Sequence, residues 1–297
     1  QMQVMGPHLY VAQLQTSAFA THIFSIGKYH RVNEDCLLGA GIAEPACDAP
    51  STIISGLNGQ VSFAMSPNSK FYLSFAAEET THQILEVESN ASQIVPSECN
   101  NQMGCSLLHT SSAPLRNLQA DSIHLYWFEG QNSLYRKTLN ANSQATLLHV
   151  ANPQSHFDRL ALTPNNLIWT GFRSLNRGHK ADVVHSNNNE TLSGVNVFAW
   201  HVRHRDLFYI QTQALQTPQL VHAPVAESYC SQKVSLDSSS VKVLGGAVAP
   251  NGTLLLAGEQ STDGHGVILR QRASGVRHTL IELSATETGS NQQMIHL

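Results

Sequence analysis

Eight charged or imidazole side chains carry most of the chemistry that this sequence offers: Glu78, Glu129, Arg173, Arg177, His179, Glu259, Asp263 and His265. Acids and cations gathered at one rim recognise a polar ligand or a peptide end through complementary charge and hydrogen bonds. Glu79, His156 and Asp158 would extend the same rim. Two members, Glu129 and Glu259, also form the candidate acid–base pair of a hydrolase or lyase, a chemistry that needs two carboxylates about 5–10 Å apart in a concave site. A second constellation, His201-Val-Arg-His204-Arg-Asp206, has metal-ligand residue types. Residues three apart on a strand face opposite ways, so both imidazoles could reach one ion only across a turn. A solvated, partly cationic and pH-responsive loop is the plainer expectation, and no metal or cofactor is expected.

The cysteines bear on compartment. Cys36 and Cys47 flank a segment rich in Gly, Ala and Pro, and Cys99 and Cys105 flank Asn100-Asn-Gln-Met-Gly104. Neither pair has the spacing of a zinc knuckle, so loop disulfides are expected, each stabilising by roughly 2–3 kcal/mol through loop closure. They imply a periplasm or an extracellular space, although four cysteines permit three pairings and a reduced state is the alternative. Cys230 is left as a free thiol. No Gly-x-Ser-x-Gly elbow, phosphate-cradling glycine loop, His-Glu-x-x-His or calcium loop occurs, so peptidase and nucleotide-dependent readings lack motif support.

The elements that must position these residues recur along the chain. Proline-marked turns at Met5-Gly6-Pro7, Met65-Ser66-Pro67, Leu162-Thr163-Pro164 and Val248-Ala249-Pro250 each precede a strongly apolar segment. Those segments are His8–Ala12, Phe71–Ser74, Leu167–Thr170 and Leu254–Ala257, with proline-free relatives at Ile123–Trp127 and Leu207–Ile210. Taking Leu9, Tyr72, Leu125, Ile168, Phe208 and Leu254 as landmarks, the intervals are 63, 53, 43, 40 and 46 residues. That period is in the range of propeller blades, about 40–50 residues. A polar loop and an alternating stretch follow each copy, at His22–Ile26, Gln83–Val87, Ser133–Arg136, Ala181–Val184, Gln219–Val221 and Val267–Arg270. Alternation with period two means strands. Fourth segments follow at Ala145–Leu148 and His278–Ile281. Four strands per repeat make a blade, and apolar runs in the second strand fit an inner strand covered on both faces. Small residues at Ala12, Ser74, Thr170 and Ala257 suit blades that crowd together. The competing architecture is a two-sheet sandwich with similar turn spacing.

The expectation is therefore all-β: a six-bladed β-propeller of four-stranded antiparallel blades. It forms a single domain over 1–297, with blades at about 1–54, 55–112, 113–153, 154–193, 194–238 and 239–297. Ser66-Pro-Asn-Ser-Lys-Phe-Tyr-Leu73, Thr163-Pro-Asn-Asn-Leu-Ile-Trp-Thr-Gly-Phe-Arg-Ser174 with Lys180-Ala-Asp-Val-Val184, and Ala249-Pro-Asn-Gly-Thr-Leu-Leu-Leu256 resemble the TolB-type WD-repeat-like blades. The chain departs from that pattern in having Asn where the family has Asp, and in lacking proline in the third and fifth copies. The resemblance implies periplasmic translocation proteins, peptidase propeller domains, lyases, or sensor domains of ToxR/CadC-like regulators, and so leaves function open.

Composition narrows the partners. With 41% hydrophobic and 13% charged residues the chain can bury a large core, and a net charge of −4 gives no general attraction for phosphate backbones, so nucleic acid is not expected. No apolar stretch is long enough for a transmembrane helix, and the start at Gln1 suggests a processed product or an excised domain, with an upstream signal peptide or membrane anchor. The leading reading is an extracytoplasmic, non-enzymatic propeller that binds a protein or a small polar ligand, as the periplasmic sensor domain of a membrane-anchored regulator or as an envelope-complex component. The alternatives are a propeller hydrolase or lyase acting on carbohydrate or peptide, and a lectin-like module. The lectin reading is weakened because the three tryptophans, Trp127, Trp169 and Trp200, form no platform repeated in each blade, and the first two are expected in the core.

Overall fold

A computed structural model describes residues 2–5, 8–16, 22–30, 51–91, 93–101, 104–140, 143–151, 157–171, 174–180, 190–193, 196–203, 206–212, 219–224, 233–235, 241–248, 254–260, 266–271 and 277–283, with side-chain detail concentrated between 52 and 180. These residues form antiparallel β-sheets and one short 3-10 helix, η1 (Pro96–Asn101), with no α-helix among them. By internal packing the chain divides into two units, 1–160 and 161–297.

The first unit holds two sheets. The larger runs in sequence order through β1 (Met2–Met5), β2 (His8–Thr16), β3 (His22–His30), β4 (Ser51–Ser66), β5 (Lys70–Glu78), β6 (Thr81–Glu88) and β7 (Cys105–Ser111). The smaller has β8 (Leu115–Ala120), β9 (His124–Glu129), β10 (Ser133–Thr138) and β11 (Thr146–Val150). β4 explains why the larger sheet has seven strands. Its first half pairs β3 from Ser51 to Asn58, and its second half pairs β5 from Asn58 to Ser66. On either side of Asn58, where the strand changes partners, Gly56 and Gly59 take φ of 75° and 70°, a region that glycine enters without strain.

Alternation decides what each face buries. On β5, Phe71, Leu73 and Phe75 join Ile54, Leu57, Phe63, Leu85 and Val87 in one core cluster. Tyr72 faces the other way, into a cluster with Ile84, Leu115, Leu118, Leu125 and Trp127 that joins the two sheets. Runs of consecutive buried residues in β5 and β9 follow from this cover on both faces. Two buried hydroxyls fix β8 against the larger sheet: Ser74 Oγ donates to Leu115 O at 2.9 Å, and Ser62 Oγ accepts from Leu118 N at 3.0 Å. A small polar residue at position 74 thus serves both close approach and backbone satisfaction.

The second unit contains three four-stranded sheets. The first comprises β12 (Leu160–Leu162), β13 (Asn166–Gly171), β14 (Ser174–His179) and β15 (Glu190–Ser193). Next come β16 (Asn196–Arg203), β17 (Asp206–Thr212), β18 (Gln219–Pro224) and β19 (Lys233–Ser235). The last has β20 (Val241–Val248), β21 (Leu254–Gln260), β22 (Gly266–Gln271) and β23 (Arg277–Leu283). One strand assignment is corrected here. The partner of β13 is Ser174–His179, whereas the sequence pattern put it at Ala181–Val184, which lies outside the described residues. The polar text of β14 hid it: Asn176 is buried and donates to Trp169 O at 3.3 Å, so a hydrogen bond takes the place of an apolar contact.

Candidate functional site

Glu129 is where the chemistry concentrates. It ends β9, and Trp127 precedes it by two residues, so the two side chains share a face with Ser133 and Tyr135, their register partners on β10. Across from them stands β7 of the larger sheet, whose His109 and Ser111 alternate onto a common face. His109 Nε2 lies 3.2 Å from Glu129 Oε2, Ser111 Oγ donates to Oε1 at 2.8 Å, and Trp127 Nε1 donates to Oε2 at 3.4 Å. The His109 ring leans on Trp127 with centroids 5.0 Å apart, and Trp127 stacks on Tyr135 at 5.9 Å with planes 11° apart.

The turn that carries Glu129 is held from behind. Gly130, at φ 64°, donates its N–H to Pro114 O at 2.8 Å, and its carbonyl accepts from Arg116 Nε and Nη2 at 3.2 and 2.8 Å. Phe157 N and Ala151 N donate to Gln131 O and Asn132 O. Burial pushes the Arg116 pKa down, and the nearby Asp158 carboxylate opposes that push. Asp158 is tied in through its own carbonyl, which accepts from Asn117 Nδ2.

Burial alone would raise the Glu129 pKa. The hydrogen bonds from His109, Ser111 and Trp127, with attraction to the His109 ring, outweigh it and hold the carboxyl below its ordinary value. Tyr135 moves up, through burial and then through repulsion between its phenolate form and Glu129. An open cleft of about 580 Å3 runs along this face, lined by Leu107, His109, Glu129, Tyr135, Lys137 and Gln144 among others. Glu129 is the one carboxylate among the described lining residues. Ser111 spends its proton on Glu129 while its oxygen accepts from Ala113 N at 2.9 Å, so no serine-to-imidazole proton path is built.

Of the other expected site residues described in the same unit, Glu78, Glu79 and Asp158 do not line this cleft. Glu78 sits exposed at the end of β5, and Glu79 is exposed in the turn beyond. Arg177 and His179, expected at the rim, lie within β14 opposite Ile168 and Asn166, because that strand starts at Ser174. Glu259 is the penultimate residue of β21. Arg173, Asp263, His265 and His156 lie outside the described residues, as do Cys36, Cys47, Cys230 and His204. His201 is on β16 opposite Phe208, and the described residues contain no cluster able to hold a metal. Cys99 and Cys105 are joined in a disulfide, with Cα atoms 5.0 Å apart, that fastens η1 to the start of β7. His109, Ser111, Tyr135 and Lys137 escaped the sequence reading. Their usable signal was the i, i+2 spacing of polar groups on two strands, which gains meaning only once β7 is known to face β9.

No known family profile matches the chain, and no curated protein does. Solved structures do. A protein from Lactobacillus plantarum superposes with a TM-score of 0.56 at 10% identity, over 92% of this chain and 81% of that one. Virginiamycin B lyase from Staphylococcus aureus, solved as an inactive variant with quinupristin, gives 0.54 at 8% identity, over 94% of this chain and 87% of the lyase. Prolyl oligopeptidase B from Galerina marginata gives 0.59 at 10% identity, and this chain spans only 42% of its length. This chain has a β-propeller fold. At such identities the likeness is one of fold alone.

Proposed function

We propose that this chain is a non-enzymatic propeller module that binds a small polar ligand in the cleft between β7 and β9–β10. The observation that carries this reading is the state of Glu129: a single carboxylate, kept ionised by three donors, positioned by a braced turn. Such a group is suited to recognition, since a carboxylate with a depressed pKa is a poor proton donor and, among the described lining residues, no second carboxylate stands against it. The division of β4 between two partners supports six blades, because its halves complete a first set with β1–β3 and a second with β5–β7, beside four further four-stranded sheets. In this reading residues 1–297 form one six-bladed domain of TolB-like type, and the rim residues Glu78, Arg173, Arg177, His179, Glu259, Asp263 and His265 contribute secondary contacts for a ligand or protein partner. The Cys99–Cys105 bridge supports a periplasmic or extracellular setting, consistent with a sensor domain or an envelope-complex component.

The hydrolase or lyase alternative draws on the His109–Glu129 pair, in which a carboxylate orients an imidazole within a cleft. Calorimetric titration of a polar metabolite and short-peptide library against the protein and its Glu129→Gln variant separates the readings. Saturable binding that weakens in the variant, with the ligand recovered intact, supports the module. Turnover of a bound ligand that stops in His109→Ala supports the enzyme.

A further inference from the structure

The cleft contains one charge that the protein does not balance. Lys137 on β10 is 8% exposed, and its Nζ donates to the backbone carbonyl of Ser143. Among the described residues no carboxylate pairs with it. Register explains its position: Lys137 opposes Leu125 on β9, as Tyr135 opposes Trp127 and Ser133 opposes Glu129, so all six share the face that lines the cleft wall. Glu129 is therefore four residues further along β9, roughly 13 Å away at about 3.3 Å per residue, and already serves three donors. An ammonium on so buried a side chain, with one neutral acceptor and an open cleft before it, gains from an anion that reaches it.

The lining mixes polar Thr110, Ser143 and Gln144 with an apolar set, Leu107, Leu108, Ala145 and the ring of Tyr135 stacked on Trp127. Gln144, next in the chain to the Ser143 whose carbonyl accepts from Lys137, also lines the cleft and carries an amide able to donate a hydrogen bond. We propose that the cleft takes an organic carboxylate with an aromatic or branched apolar body: the carboxylate meets Lys137, and the body lies along Tyr135, Leu107 and Leu108. The inference rests on the reading of this cleft as a ligand site, and its volume of about 580 Å3 suits a small ligand. Two sources share that chemistry, a free aromatic acid and the C-terminus of a peptide.

The test is calorimetric titration of the full chain with 3-phenylpropionate, its amide, phenethylamine, and acetyl-Gly-Phe as acid and as C-terminal amide. The acids are expected to bind at least tenfold more tightly than the matching amides. Lys137→Met should abolish that preference and Lys137→Arg should keep it. Lys137→Met should also unfold at the wild-type temperature or above, since it keeps the apolar stem and removes the uncompensated charge. Tighter binding of the peptide acid identifies a chain terminus as the ligand, and tighter binding of phenylpropionate identifies a free acid. If amide or amine binds as well as acid, the anion assignment falls while the cleft reading stands. If no probe binds at all, the organic-acid assignment falls, and the cleft reading falls only if the metabolite and peptide library also fails to bind. Should Lys137→Met lose stability or fail to fold, Lys137→Arg and the wild-type contrast of acid with amide decide, and equal binding of acid and amide by the wild type overturns the proposal.

Discussion

Glu129 shows how one residue acquires a role from its neighbours. Its carboxylate joins two sheets because its partners come from both, His109 and Ser111 from β7 and Trp127 from β9. The direction of its pKa fixes a pH dependence. A carboxyl held below its ordinary value of 4.5 in the folded protein adds stability above that value, and the contribution is lost as pH falls through the folded pKa. Unfolding by urea between pH 3 and 7, values chosen to span about 4.3 for a free glutamate, should therefore show an acid limb that is shallower in Glu129→Gln. At neutral pH that variant is expected to lose about 1–2 kcal/mol, because the amide accepts charge-assisted bonds more weakly and turns a donor toward one of three donors. An identical acid limb in the variant would remove Glu129 as its origin. The sequence showed Glu129 as a rim acid, which was the legible half of this site. It could not show His109 or Lys137, since their meaning lies in which strand faces which, and linear spacing is silent on that.

Strands, by contrast, were written plainly. The apolar segments around Tyr72, Leu125, Ile168 and Phe208 became β5, β9, β13 and β17 because inner strands covered on both faces must be hydrophobic on both. β14 was missed because its buried Asn176 reads as a loop residue. The change of partner in β4 was also hidden, since Gly56 and Gly59 look like any turn glycines until their φ values are known. These two make different demands. A Cβ at Gly59 would come within 2.9 Å of Ala76 Cβ, whereas one at Gly56 meets nothing within 4 Å. Gly56→Ala should cost only the left-handed backbone strain, about 1–2 kcal/mol. Gly59→Ala should cost more, through strain plus displacement of β5. Comparing the two urea midpoints checks the difference, and equal losses would show that β4 tolerates a shift of its second half.

For the whole molecule, fold and function separate. Neighbours with this fold include a lyase and an oligopeptidase, so shape alone selects no activity, and the argument for one must rest on sites and on compartment. Compartment is a property that five cysteines can report together. The Cys99–Cys105 bridge closes a short loop at the start of β7, the strand that presents His109 and Ser111 to the cleft, so its stabilisation of about 2 kcal/mol by loop closure falls on the site itself. If the chain matures in an oxidising space, Cys36 and Cys47 pair as well and only Cys230 remains. Thiol titration of the exported protein, unfolded without reductant, should then count one reactive thiol per chain. Five would place the protein in a reducing compartment, and the periplasmic reading would fail. Three would confine oxidation to the bridge at β7. Adding reductant to the folded protein should in every oxidised case weaken ligand binding before it unfolds the remaining sheets, because the bridge fixes the start of β7, which forms one wall of the cleft.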